Sequence, residues 1–117
     1  MHSYKLFIDD ERQPVAAGWV IARTSKEAIH IIRTFGLPIE IAFDYDLGGD
    51  DTTKKVLQWL FTFVEHENLV FDENFRYSVH SQNPVGAKYV RDFMGDLLRL
   101  SYDNKEYKAR QTGRESI

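Results

Sequence analysis

Residues Ile39–Gly48 read IEIAFDYDLG, and this stretch predicts a buried strand that ends in two aspartates. Its first half is a short apolar, β-branched run, which is typical of a strand inside an α/β sheet. Asp44 and Asp46 end the run, and glycines follow. Because alternate residues of an extended chain point to the same side, both aspartates are expected on one face. Two like charges so close favour a cation or hydrogen-bond donor between them.

The composition is that of one folded domain. The 117 residues are 43% hydrophobic and 28% charged, which is enough apolar material for a core. No apolar run is long enough to cross a bilayer, and the start MHSYKLFIDD lacks a signal-peptide pattern. The absence of cysteine excludes disulfides and thiolate metal sites in this chain. We therefore expect a cytoplasmic protein without membrane contacts, and the net charge of −3 argues against bulk nucleic-acid affinity.

Hydrophobic periodicity predicts three further strands and three helices. The strands are Tyr4–Ile8, Gly18–Ala22 and Phe75–Val79, and the helices begin at Thr24, Thr53 and Pro84. This β, β-α, β-α, β-α order predicts a mostly parallel α/β sheet of about four strands with helices on both faces. Residues 1–100 would form this domain, and the polar residues 101–117 would form a tail or a short extra element.

Local residues predict where the helices begin. Thr24 and Glu27 have the spacing of a capping box for the first helix. Asp51 or Thr52 is expected to cap the second helix. Asn83 is the expected N-cap of the last helix, with the proline that follows it at the first helical position.

Polar side chains follow three of the predicted strands. The carboxyl ends of parallel strands are where such sheets bind ligands, so these side chains are expected at one edge. The set comprises Asp9, Asp10, Glu11, Arg12, Asp44, Asp46, His80, Ser81 and Asn83. The carboxylates suit Mg²⁺, whereas the arginine, the hydroxyl and the last helix start suit a phosphate. Histidine titrates near neutral pH and therefore suits proton transfer.

Three motifs resemble one family. LFIDDERxP at the first strand, FDYDLG at the central strand and VHSxNPVG before the last helix resemble the cyclic-phosphate processing receiver-like domain, a trimmed relative of response-regulator receivers. The resemblance covers roughly Lys5 to Leu98. It implies a receiver/flavodoxin-like fold and action on cyclic phosphates of nucleotides or RNA ends. By position it implies that Asp9 and Asp10 are a metal-binding acidic pair and that Asp44 corresponds to the receiver's phosphoacceptor.

The chain departs from the pattern of the family at two positions that bear on function. Tyr45 lies between the central aspartates, where the family usually has histidine. In the acidic turn that follows, the family usually has glycine after the threonine, and here the run is DDTTKK. In addition, no strand ending in lysine follows Leu98, although phosphotransfer receivers use such a lysine to sense the phosphoryl group.

These observations favour a phosphoesterase that opens a cyclic phosphate, including the 2′,3′ type, on a nucleotide or RNA terminus. The expected catalytic residues are His80, Asp44 and Asp46. The expected phosphate ligands are Arg12, Ser81, Asn83 and Gly86, and the expected Mg²⁺ ligands are Asp9, Asp10, Asp44 and Asp46.

Three alternatives remain open from the sequence. The same edge would bind a cyclic nucleotide without cleaving it, with Tyr45 stacked on the base. Asp44 would be phosphorylated, although the missing lysine makes this the weakest alternative. In the third, the acidic side chains have no function beyond keeping the strand ends solvated, and Asn83 only caps a helix.

Overall fold

The computed structural model describes residues 3–115 and contains a four-stranded, wholly parallel sheet with three helices. The strands are β1 (Lys5–Ile8), β2 (Trp19–Ala22), β3 (Glu40–Phe43) and β4 (Arg76–Val79), in the order β2-β1-β3-β4. The helices are α1 (Ser25–Phe35), α2 (Lys54–His66) and α3 (Pro84–Glu115). This arrangement confirms the predicted receiver-like α/β fold.

One face of the sheet carries the hydrophobic core. Leu6 and Ile8 of β1 and Ile41 and Phe43 of β3 are fully buried in a single cluster with apolar residues of all three helices. Each fully buried apolar side chain of this size stabilises the fold by about 1.5–3 kcal/mol. The strand residues that alternate with these form the other face, which we call the open face; they are Lys5, Phe7, Trp19, Ile21, Glu40, Ala42, Arg76 and Ser78.

The sequence predicted helices on both faces of the sheet, but the three helices lie on one face. A right-handed connection lies on one face when the chain moves one way along the sheet and on the other face when it reverses. The crossovers β2-α1-β3 and β3-α2-β4 move in the same direction, and α3 packs beside α2, so the helices share a face. The β1–β2 connection moves the opposite way but contains no helix.

Helix α3 is longer than the sequence predicts, and residue 100 falls inside it. Two buried polar side chains explain the continuation. The Asn104 side-chain amide donates to the carbonyl oxygens of Val64 in the last turn of α2 and of Leu69 just after that helix, and the Ser101 hydroxyl accepts the Phe71 N–H. Polar residues of the supposed tail therefore complete the backbone hydrogen bonds of another segment. No helix in residues 3–115, α3 included, has the length and apolar character needed to cross a membrane.

Asp51 does not cap α2 as predicted. Its carboxylate accepts hydrogen bonds from the Ser25 N–H (2.9 Å) and hydroxyl (2.6 Å) at the start of α1. Thr53 occupies the N-cap position of α2 without a side-chain cap. The predicted cap of α1 is confirmed, because the Thr24 hydroxyl accepts the Glu27 N–H at 3.0 Å. Asp51 therefore ties the segment after β3 to the first turn of α1.

Replacing Asp51 with alanine is expected to lower the free energy of unfolding by about 1–3 kcal/mol at pH 7, since two charge-assisted hydrogen bonds are lost. Burial raises the pKa of Asp51, but the Ser25 bonds and nearby Lys55 outweigh it and hold the pKa below its usual range. The stabilisation is thus complete above the unfolded-state pKa and is lost as pH falls through the lowered native pKa.

Urea unfolding of Asp51→Ala and the parent between pH 2 and 7 measures this difference. Asp50→Ala removes an exposed carboxylate of the same loop and is the control, for which little change is expected. A penalty for Asp51→Ala that is the same at pH 2 and pH 7 would contradict the assignment.

Candidate functional site

Three side chains meet at the carboxyl edge of the sheet. Asp9, Asp44 and His80 come directly after the last residues of β1, β3 and β4, respectively. Because side chains alternate between the two faces along a strand, all three are on the side of the open face. One carboxylate oxygen of each aspartate and one ring nitrogen of the histidine all lie within 4.8 Å of one another. The structure therefore joins the three predicted strand ends in one cluster.

Asp9 is the buried centre of this cluster, with 1% of its surface exposed. Its Oδ1 accepts the backbone N–H groups of Glu11 and Arg12, both at 2.9 Å, and its Oδ2 lies 3.0 Å from His80 Nε2. Burial raises the pKa of Asp9, but these donors together outweigh it and hold the pKa below its usual range. Asp9 is therefore a carboxylate at neutral pH, and a carboxylate only accepts, so His80 Nε2 carries the hydrogen of their bond.

Asp44 is in the opposite electrostatic situation. Burial and the nearby Asp9 charge raise its pKa, although the Tyr45 N–H donates to its Oδ1 at 2.8 Å. The buried Thr53 hydroxyl donates to the Asp44 carbonyl oxygen at 2.5 Å and fixes the backbone there. Two adjacent aspartates thus have pKa values moved apart, which is a common property of functional sites.

The His80 ring is held from two sides. It stacks on Phe7 with 4.9 Å between ring centroids and 8° between planes, and it binds Asp9 through Nε2. Among the described residues, Nδ1 has no hydrogen-bond partner. Since Nε2 carries a hydrogen, Nδ1 of the neutral ring is a proton acceptor.

A cavity of about 420 Å³, which we call the rim cavity, lies beside the cluster. It is lined by the predicted residues Asp10, Arg12, Asp44, Asp46, Ser81 and Asn83, together with Glu11, Gly48 and Gln82. Arg12 Nη1 donates to the His80 carbonyl oxygen at 2.8 Å and leaves its other N–H groups for a ligand. The Ser81 hydroxyl accepts the Asn83 N–H at 3.1 Å and keeps its own hydrogen to donate.

The predicted acidic residues divide into two positions. Asp10 and Asp46 line the rim cavity but fall outside the cluster of Asp9, Asp44 and His80. Asp46 is exposed and accepts the Asn83 side-chain N–H at 3.2 Å. Three of the four aspartates predicted to bind metal therefore line the rim cavity, whereas Asp9 does not, and the metal role of the set stays a prediction.

Gly86 and Tyr45 contact each other away from the rim cavity. A Cβ on Gly86 would lie 2.4 Å from Tyr45 Cγ, so only glycine leaves room for the ring. The Gly86 N–H is also used, because it donates to Asn83 Oδ1 at 3.0 Å. Tyr45 packs edge-on against Tyr89 as well. Packing thus accounts for Gly86, and the Tyr45 ring is not presented to the cavity for stacking on a base.

Arg23 is a residue of the site that sequence reasoning missed. Its Nη1 donates to the carbonyl oxygens of Asp9 (3.0 Å) and Arg12 (2.6 Å) and so fixes the turn that follows β1. The available signal was its position directly after β2, at the same edge of the sheet as the predicted site residues.

The parallel sheet and the acid–histidine cluster at its carboxyl edge define a receiver-like domain with a cluster of polar side chains at that edge. The chain belongs to the cyclic-phosphate processing receiver domain family, whose model matches residues 4–96. No curated protein and no solved structure gives a significant match to the chain. The family assignment agrees with the three sequence motifs and connects this domain with cyclic-phosphate processing.

Gly86→Ala is expected to destabilise the protein by about 1–3 kcal/mol, because its methyl group overlaps the Tyr45 ring. Gly95→Ala is the matched control in the same helix, where a Cβ meets no neighbouring atom within 4 Å. The free energy of unfolding of that control is expected to rise by about 1 kcal/mol, because alanine has the higher helix propensity. Chemical denaturation compares them, and a gain for both variants would refute the steric role of Gly86.

Asp44→Asn is expected to raise the midpoint of thermal unfolding at pH 7 in EDTA by about 2–5 °C. The physical reason is the raised pKa of Asp44, which means that its charge opposes folding above that pKa. The difference in unfolding midpoint between Asp44→Asn and the parent should become smaller as pH falls, because Asp44 of the parent is then protonated. Asp50→Asn, an exposed acid of the same connection, is the control; equal shifts for the two variants would refute this account.

Proposed function

We propose that this domain hydrolyses a cyclic phosphodiester on a nucleotide or at an RNA end. The observation that carries the proposal is the pairing of His80 with the buried carboxylate of Asp9 at 3.0 Å, beside a cavity that Arg12 and Ser81 line. A buried carboxylate that fixes the tautomer of a histidine is a general arrangement for proton transfer. The family's connection with cyclic phosphates supports the choice of substrate.

The phosphate would lie against Arg12 and Ser81, at the side of the rim cavity next to His80, which does not itself line that cavity. The guanidinium supplies a positive charge and directed N–H donors, and the hydroxyl supplies a further donor. Asn83 has a supporting role, because its side chain already holds the Gly86 N–H and contacts Asp46. These groups would orient the cyclic phosphate and neutralise part of its charge.

His80 would transfer the proton in the cleavage step. Water attacks phosphorus, one phosphorus–oxygen bond of the ring breaks, and the products are a phosphomonoester and a free ribose hydroxyl. Nδ1 would take a proton from the attacking water, because Nε2 is committed to Asp9. The ring would then return the proton to the leaving ribose oxygen, so that the histidine ends unchanged.

Three acidic side chains that line the rim cavity would hold a Mg²⁺ ion. Asp44, Asp46 and Asp10 offer hard oxygen ligands there, and a cation would relieve the unfavourable charge of Asp44. Asp9 is less suited, since its oxygens already accept three hydrogen bonds. A bound Mg²⁺ would supply polarisation of a phosphoryl oxygen.

Two other functions have weaker support. Binding without cleavage was favoured by Tyr45, but that ring packs against Gly86 and Tyr89 instead of the cavity. Phosphorylation of Asp44 has the additional difficulty that β4 is followed by α3 up to Glu115, so the described chain has no further strand to present a lysine.

The direct test is hydrolysis of nucleoside 2′,3′- and 3′,5′-cyclic monophosphates and of oligonucleotides ending in a cyclic phosphate, with Mg²⁺ or EDTA. We expect turnover of at least one substrate and a decrease in kcat of about 100- to 10,000-fold in His80→Ala. His80→Gln keeps an N–H donor for Asp9 but has no proton acceptor, and a comparable decrease is expected.

His66→Ala, an exposed histidine at the end of α2, is the matched control and should keep parental activity. Thermal unfolding of each variant verifies that it is folded. The proposal fails if every cyclic phosphate remains intact, or if folded His80→Gln turns over substrate at the parental rate.

A further inference from the structure

A second cavity, which we call the open-face pocket, has a volume of about 410 Å³ and lies on the open face of the sheet. Its floor is Phe7 and Ala42, and its walls include Trp19 and the residues around Pro14. The rings of Phe7 and Trp19 meet edge-on with 6.0 Å between centroids. The pocket exists because the β1–β2 connection contains no helix that would cover these residues.

The open-face pocket adjoins the rim cavity. Arg12 lines both, and the His80 ring lines the open-face pocket while Nε2 contacts Asp9. One ligand can therefore place an anionic group at Arg12 and a flat apolar group over the sheet. Polar groups are also present, since Gln13 and Ser78 line the pocket and are exposed. An aromatic floor with a few hydrogen-bonding groups at its edge is suited to a heterocyclic base.

We propose that the open-face pocket binds the base of the nucleotide whose cyclic phosphate lies at Arg12. This inference rests on the proposed function and adds to it where the base of the substrate binds: the base stacks against Trp19 and lies on the surface around Phe7. Stacking on the base, which the sequence predicted for Tyr45, is thereby assigned to aromatic side chains on the open face.

The experiment compares adenosine 2′,3′-cyclic monophosphate with the base-free 1-O-methylribose 2′,3′-cyclic phosphate. In Trp19→Ala, kcat/KM for the nucleotide should fall about 5- to 100-fold, the usual effect of losing a base–aromatic stack. For the base-free compound, kcat/KM should change less than about twofold, since it makes no stack to lose. Trp19→Phe keeps an aromatic ring and should recover most of the nucleotide activity.

Trp59→Phe supplies both a control and a direct signal. The chain has two tryptophans, and Trp59 packs on the helical side against Phe63, so this variant leaves Trp19 as the single tryptophan, which excitation at long wavelength selects over the tyrosines. Adenosine 2′,3′-cyclic monophosphate should quench its fluorescence in a saturable manner, whereas the base-free compound should not. This variant should retain parental kcat/KM for both compounds.

Equal losses for both compounds in Trp19→Ala, or unchanged kcat/KM for the nucleotide, would overturn the inference. If neither compound is hydrolysed, the proposed hydrolysis is wrong. Base binding in the open-face pocket is then tested by measuring affinity instead of turnover. Calorimetric titration should then show adenosine cyclic phosphate binding to the parent and at least fivefold weaker binding to Trp19→Ala, in keeping with a lost stack. No binding to the parent, or equal binding to both, would overturn the inference.

Discussion

The buried carboxylate of Asp9 holds together the chain segments that form the site. It accepts two backbone N–H groups of the turn after β1 and one hydrogen from the ring of His80 after β4. Burial of a charge is costly unless donors surround it, so this carboxylate stabilises the fold only while all these donors stay in place. The position of His80, and through its carbonyl that of Arg12, depends on this arrangement.

The one-sided helical layer determines what the site can contact. Because α1, α2 and α3 share a face, the core forms on that side, and the strand ends are accessible from the carboxyl edge and from the open face. Phe7 is buried under Trp19 and His80 although no helix covers it. The site is therefore a corner between a polar edge and an aromatic surface.

The convergence of Asp9, Asp44 and His80 could be predicted, because polar residues directly after parallel strands must meet at one edge. Other features depend on contacts between distant residues. The partner of Asp51 is in α1, and Ser101 and Asn104 complete hydrogen bonds of the segment after α2. Polarity alone made that last region resemble a tail.

The attachment of Arg12 to its surroundings has a consequence for affinity. Its N–H is held by Asp9, its carbonyl oxygen by Arg23 and its Nη1 by the His80 carbonyl. A long side chain normally loses rotameric freedom when it grips an anion, and that ordering opposes association by about 0.5–1.5 kcal/mol per residue. Here those contacts already order much of Arg12, so under the proposed function a bound phosphate would meet a preorganised guanidinium.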